Sequence, residues 1–375
     1  MIYLDYQATT RIAPEAQAAM QPWLDERYGN PHSPHRMGRE AAAAVEVARG
    51  QVLGLLTEGQ DEPGQLYFTS GATEAANWAI KGSFSRLAPA RNRIVTIATE
   101  HACVLDTVRA LERFGADVVV LPVDRNGLVD LDAARAAIDG RTALVAAMLV
   151  NNEIGAIGPI SELGAMARAA GAMMLCDAVQ GLGRLDVPIA ACDMIAISAH
   201  KIHGPKGIGA LWVRDGCAPD PLLHGGGQEG GVRSGTLSPA LCVGFGTAAA
   251  IAAEWRSADA AHVERLNRRL RAALGPEWAV NGSVEQRYRG NLNLRREGLD
   301  VGRLMSELRD IAFSAGSACA SGSGRPSHVL TAIGLTDREA RSSIRLGFGR
   351  YTSEAEIDAA AGLINAAVAR QLEWA

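Results

Sequence analysis

The feature that most constrains this chain is a rhythm. From about Gln65 to Val213, short β-rich runs alternate with amphipathic segments. The candidate strands are Gln65–Thr69, Arg93–Ala98, Val118–Val123, Thr142–Leu149, Met173–Cys176, Met194–Ile197 and Gly209–Val213. Helical patterns lie between several of them, near Thr73–Lys81, Val104–Phe114, Leu131–Ile138 and Ile160–Ala170. Alternation of this kind predicts an α/β fold, with a mostly parallel sheet covered by helices. Ligands of such sheets bind beyond the carboxyl ends of the strands, so the residues that follow each strand are the candidates for chemistry.

The flanks read differently. The first sixty residues suggest an irregular arm, a Pro-rich loop at Gly29–Pro34 and a long helix over Arg36–Leu56. After Gly235-Thr236 an alanine-rich helical stretch runs to about Leu274. From about Trp278 onward, strand-like runs (Gly290–Arg295, Ile344–Phe348) alternate with helical ones (Val301–Arg309, Ser353–Val368), which predicts a smaller C-terminal domain. A chain of 375 residues is long enough for two packed lobes with a large core.

Composition narrows the function. A hydrophobic share of 48% without an apolar run near the roughly eighteen residues of a membrane helix points to a soluble protein. The net charge of −4 gives no global positive field with which to gather nucleic acid. The opening Met-Ile-Tyr-Leu-Asp carries no basic segment followed by an apolar stretch, so a cytoplasmic location is expected. Six cysteines lack metal-ligand or C-x-x-C spacing, which argues for reduced thiols.

Lysine is rare: among 37 basic residues only Lys81, Lys201 and Lys206 are lysines. Two of them share the stretch His200-Lys201-Ile202-His203-Gly204-Pro205-Lys206-Gly207, as if an amine that can lose its proton were required there; a solvated surface is the plainer reading. The stretch directly follows an apolar strand. Another strand end carries Asp177, where a carboxylate needs a cationic partner. A third, Phe68-Thr69-Ser70-Gly71-Ala72-Thr73-Glu74, passes through a small-residue turn into a helix, leaving backbone N–H groups free for an anion or for ordinary capping. Amine, carboxylate and anion cradle in one sheet match the needs of pyridoxal phosphate. A metal site from His200, His203 and His224 is the weaker alternative, because the loop is Gly-rich and no further ligand falls at the right spacing.

Other candidates follow the same logic. His101, after the Arg93–Ala98 strand, can stack on a planar ring, act as an acid or base, or be a satisfied core histidine. Arg345 lies in a strand-like run, where a guanidinium suits a carboxylate clamp or simply a surface cation. Gly225–Thr236 is a second glycine-dense loop that could be no more than a tight connection. Cys319 differs from the other thiols: small polar residues from Ser314 to Gly324 surround it, whereas the others sit in or beside apolar runs.

These motifs together resemble the cysteine desulfurases, class-V aminotransferase-type pyridoxal phosphate enzymes of fold type I, and within them group I, whose cysteine sits on a long mobile loop. The resemblance runs nearly end to end. It includes Tyr3–Thr10, Gly29–Ser33, Gly71–Glu74, Asn151–Gly155, Asp177–Gln180, the lysine loop, Gly225–Thr236, Gly316–Cys319 and Pro326–Leu330. One departure is Gly230, where the family carries an arginine.

The resemblance implies a large domain (13–250) with a mostly parallel seven-stranded sheet, a smaller α+β domain (251–375) carrying the cysteine loop, and an arm (1–12) joining the smaller domain. It implies Lys201 as the Schiff-base lysine, Asp177 at the pyridine nitrogen, Gln180 at the ring hydroxyl and His101 stacked on the ring. Ala72, Thr73, Ser198 and His200 would hold the phosphate, Thr236 would reach the phosphate of the neighbouring subunit in a homodimer, and Asn152 and Arg345 would bind L-cysteine. Cys319 would take the sulfur as a persulfide and pass it to an acceptor protein such as an iron–sulfur scaffold, with no membrane and no direct nucleic-acid partner. Selenocysteine lyase or another pyridoxal-phosphate-dependent β-elimination is the alternative, since it shares every cofactor residue and differs in its need for Cys319.

Overall fold

A computed structural model describes residues 1–315 and 326–373. The chain opens with strand β1 (Ile2–Tyr3) and helices α1 (Pro14–Asp25) and α2 (Arg36–Thr57). There follow β2 (Gly64–Thr69), α3 (Ala72–Leu87), β3 (Arg93–Ile97), α4 (Ala102–Glu112), β4 (Asp117–Leu121), α5 (Leu131–Ala137), β5 (Thr142–Met148), α6 (Ile160–Ala170), β6 (Met173–Asp177), β7 (Met194–Ser198) and β8 (Gly209–Arg214). Strands β2 to β8 form one seven-stranded sheet in the order β2-β8-β7-β6-β5-β3-β4. All neighbours pair in parallel except β8, which runs antiparallel to both β2 and β7. The α/β expectation holds, and each expected strand lies within two residues of an observed one at its start and three at its end.

The five inner strands, β3 and β5 to β8, are buried on both faces, whereas the edge strands β2 and β4 are partly exposed. Met174 and Cys176 of β6 and Ile195 and Ile197 of β7 pack with α2, α6 and α7 (Pro239–Leu274). Their neighbours Leu175, Met194 and Ala196 point the other way, toward Trp78 and Phe84 of α3 and Val104 and Val108 of α4. Alternate side chains of a strand leave on opposite faces, so such runs read as continuously apolar when helices cover both sides.

The 36-residue helix α7 joins two cores. Its Cys242, Phe245, Ala249 and Ala252 belong to the sheet's core, while Val263, Leu266, Leu270 and Leu274 belong to a second one. That second core includes β10 (Asn291–Arg295), which follows the short β9 (Ala279–Val280). It also gathers α8 (Val301–Glu307), β11 (Ile311–Ala312), β13 (Ser343–Gly347) and α11 (Glu354–Leu372). Strand β12 (Ser314–Ala315) pairs with β13, and α9 (His328–Ala332) and α10 (Asp337–Arg341) lie between them in sequence. The N-terminal arm is stitched to this second core: β1 pairs with β11, Leu4 is buried there, and Asp5 bridges Gly347. A Cβ on Gly347 would lie 1.7 Å from Gln7 Oε1, so only glycine lets the arm pass this close.

A helix near the N-terminus differs from the sequence reading. Residues 14–25, expected as irregular, form α1. Pro14 sits in its first turn, where a missing N–H costs nothing, but Pro22 inside the helix hides the pattern. Ala13 and Ala16 pack against Ala248 of α7, and this tertiary contact supplies what the local pattern lacks. No helix among the described residues is long and apolar enough to cross a membrane.

Candidate active site

The carboxyl ends of β3, β5, β6 and β7 and the start of α3 open onto one cavity of about 590 Å³. Ten of the residues singled out in the sequence line it: Ala72, Thr73, His101, Asn152, Asp177, Gln180, Ser198, His200, Lys201 and Arg345. Thr236 does not, and is exposed. Cys319 lies outside the described residues.

Asp177 ends β6 rather than following it, and Ser198 likewise ends β7. The Asp177 carboxylate, 8% exposed, accepts one hydrogen bond, from the Val179 amide at 3.0 Å, and ion-pairs with no cation among the described residues. Burial pushes its pKa up, against the pull of that amide and of the charges of His101 and Lys201. A carboxyl this buried fits a cationic ring nitrogen placed in the cavity beside it.

Lys201 closes a short 3-10 turn, Ala199–Lys201, directly after β7. Burial, followed by the charges of Arg184 and Arg345, lowers its pKa to about 8, so its amine is within reach of the neutral form near neutral pH. Its Nζ donates to the backbone oxygens of Gln7 (2.6 Å) and Ala8 (2.7 Å), which places the arm over the lysine. Arg184 braces the lysine from behind, donating to the Lys201 carbonyl at 2.7 Å and to Gln180 Oε1 at 2.6 Å. Lys206, the second lysine of the loop, is exposed at the cavity's edge.

His101 caps α4, its Nδ1 accepting from the Cys103 amide at 3.1 Å. Accepting there puts the proton of the neutral ring on Nε2. Burial lowers its pKa, with Asp177 opposing and Lys201 and His328 adding to the shift. His200 holds Thr9 Oγ1 at 3.1 Å, and burial followed by the charge of Lys201 brings its pKa down to about 4, so it is neutral.

The anion cradle is the first turn of α3. Glu74 accepts the Ser70 amide at 2.7 Å and is held by Arg233 at 2.7 Å. Burial raises the Glu74 pKa, but Arg233 and Ser70 outweigh it and hold the group below its ordinary value. The second glycine-dense loop is therefore more than a connection. Arg233 ties it to the cradle, and Glu229 ties it to Arg49 (2.7 Å) and to the Phe68 amide (2.7 Å).

On the opposite wall Arg345, in the middle of β13, is 1% exposed, so the surface-cation reading is excluded. Asn152 lies in the turn after β5, shaped by Asn151, whose Oδ1 accepts the amides of Glu153 and Ile154, both at 2.9 Å.

The sequence reading passed over several residues that shape this site. Asp5 and Gln7 fall within the motif Tyr3–Thr10, to which the sequence reading gave no site role. Arg184 carried no local signal. Cys103 lines the cavity, but burial raises its pKa, keeping it a neutral thiol. Glu100, 0% exposed, accepts the Met148 amide at 2.7 Å, and burial, then Asp177, raises its pKa well above the carboxylate range.

Comparisons with known proteins follow the whole chain. The aminotransferase class-V family model matches residues 2–360. A relative described as cysteine desulfurase IscS, from Rickettsia bellii, is 45% identical over 371 residues, covering 97% of this chain and 90% of the relative. A solved structure described as a NifS-like protein superposes with a TM-score of 0.90 at 33% identity, covering 98% of this chain and 99% of that one. A second, described as SspA in complex with cysteine, gives a TM-score of 0.83 at 34% identity, covering 94% of this chain and 100% of the other.

Proposed function

This chain belongs to the aminotransferase class-V family and is a cysteine desulfurase, and from that premise we propose how its cavity removes sulfur from L-cysteine. The observation that carries the reading is the convergence, on one cavity, of a half-buried lysine, a buried carboxyl without a cationic partner among the described residues and a helix start. These fit pyridoxal phosphate. When bound, that cofactor supplies an aldehyde that takes up amines and a ring that withdraws electrons from the substrate Cα.

Lys201 Nζ would hold the aldehyde carbon and, as a free amine, would be the base for the Cα proton. Asp177 would keep a proton on the ring nitrogen, and Gln180 would serve the ring hydroxyl. The α3 amides of Ala72 and Thr73, with Ser198 and His200, would hold the phosphate. His101 carries a proton at Nε2, and Arg345 and Asn152 orient the substrate carboxylate. The thiolate of Cys319 attacks the substrate sulfur. An S–S bond forms, the C–S bond breaks with its electron pair left on Cβ, and Cβ takes a proton, giving alanine and a Cys319 persulfide.

The same reading includes a homodimer, in which the exposed Thr236 serves the neighbouring subunit's phosphate. It includes a large domain to about residue 250 and a smaller one beyond it, supported by the two cores. It also includes a cytoplasmic location, supported by the five described cysteines, all free thiols, and a protein acceptor such as an iron–sulfur scaffold.

The test is intact-protein mass after brief exposure to L-cysteine without reductant, with the modified peptide mapped. A sulfur adduct on Cys319, absent in Cys319→Ser, is the expected result. Alanine released by Cys319→Ser at the wild-type rate would overturn the role of Cys319 and favour the lyase reading.

A further inference from the structure

The buried guanidinium of Arg345 has a counter-ion that does not line the cavity. Its Nη2 donates to Asp5 Oδ1 at 2.8 Å and to Ser314 Oγ at 3.2 Å, and its Nη1 donates to the Asn152 carbonyl at 3.1 Å. Ser314 Oγ in turn donates to the same Asp5 oxygen at 2.9 Å. Arg345 Nε has no partner among the described residues. The three side chains come from distant segments. Ser314 and Arg345 are register partners on β12 and β13, and Asp5 is delivered by the arm, whose backbone bridges Gly347 two residues beyond Arg345.

A guanidinium removed from water in this way needs a fixed anion, or a charge is buried without compensation and its orientation is lost. Asp5 and Ser314 occupy Nη2 and the Asn152 carbonyl takes one N–H of Nη1, which leaves the second N–H of Nη1 for a ligand, while Nε is buried. A carboxylate oxygen could then be met by a charged donor that does not have to turn.

We propose that Asp5 is a positioning residue for the substrate carboxylate: it holds Arg345 ready, and so makes the N-terminal arm part of the selection of an α-amino acid over a simple amine. This rests on the desulfurase reading. Ser314, which bonds both Asp5 and Arg345, shares the arrangement.

The experiment compares two ligands that differ in the carboxylate alone, L-cysteine and cysteamine. Both are titrated into cofactor-loaded wild type, Asp5→Asn, Asp5→Ala, Arg345→Ala and the Asp5→Ala/Arg345→Ala double variant, with the change in the cofactor's visible absorption as readout. Asp5→Ala should weaken L-cysteine by about tenfold or more and leave cysteamine unchanged. Asp5→Asn, which keeps an acceptor oxygen but not the charge, should fall between. The double variant should be no worse than Arg345→Ala. An equal loss for both ligands, no loss for L-cysteine, or additive losses in the double variant would overturn the assignment. A wild type that does not respond to L-cysteine would overturn the desulfurase reading itself, and the wild-type titration alone tells that failure apart.

Discussion

The two walls of the cavity are built on different principles. The cofactor wall takes Asp177, Ser198, His200, Lys201 and the α3 turn from the strand ends of one sheet, each within a few residues of the strand that carries it. The substrate wall presents Arg345, which is held from behind by Ser314, 31 residues away in sequence, and by Asp5, 340 residues away, brought together by one β pair and one bridge. The first wall is local chemistry on a rigid edge. The second exists only when the arm has docked on the smaller core.

The difference gives an order of experiments. The largest effect should come from Lys201→Ala, which should lower desulfurase activity by about a thousandfold or more and remove the visible absorption of the bound cofactor. Retained absorption would move the covalent attachment to Lys206 and break the account of the first wall.

Arg345→Lys should separate the walls. It keeps a charge but loses the fork, so KM for L-cysteine should rise by roughly 10- to 100-fold while cofactor absorption stays as in wild type. If cofactor content fell in parallel, the two walls would be one unit.

The pH dependence of cofactor uptake sharpens the first wall. Lys201 is displaced downward by burial to about 8, so above that pH the amine is neutral and able to attack the aldehyde. The rate at which cofactor-free protein takes up pyridoxal phosphate should rise with pH, by about tenfold per unit below 8, and level off above it. A profile rising only toward the ordinary lysine range would show that burial and the neighbouring cations Arg184 and Arg345 do not lower it.

The smallest effect should be that of Thr236→Ala, about a threefold loss of cofactor affinity, because one exposed hydroxyl is removed. Sedimentation at the working concentration should show a dimer. The same loss in a protein that sediments as a monomer would remove the neighbouring-subunit role.

Much of the fold was legible. All seven strand runs were legible, the five inner ones because strands covered on both faces must be apolar throughout, and that composition is visible without any partner. Helix α6 was read with its observed ends, Ile160–Ala170, its stop marked by Gly171 in the left-handed region. Helix α1 was missed because alanine-to-alanine packing against Ala248 leaves little periodicity to see. The antiparallel insertion of β8 between β2 and β7 was not legible either, since strand order depends on crossovers and not on composition.

The chain by itself determined the chemical inventory. A lysine in a chain that avoids lysine, an aspartate at the end of an apolar strand and a small-residue turn before a helix are local facts, fixed by which residues follow which strand. The tertiary structure alone decided what surrounds that inventory: the arm carbonyls over Lys201, Arg184 behind it, and Asp5 and Ser314 around Arg345. The physical reason is that burial and pairing of charges are properties of contacts between distant segments. A sequence shows that an arginine is present, but only packing shows that it is out of reach of water and which carboxylate answers it.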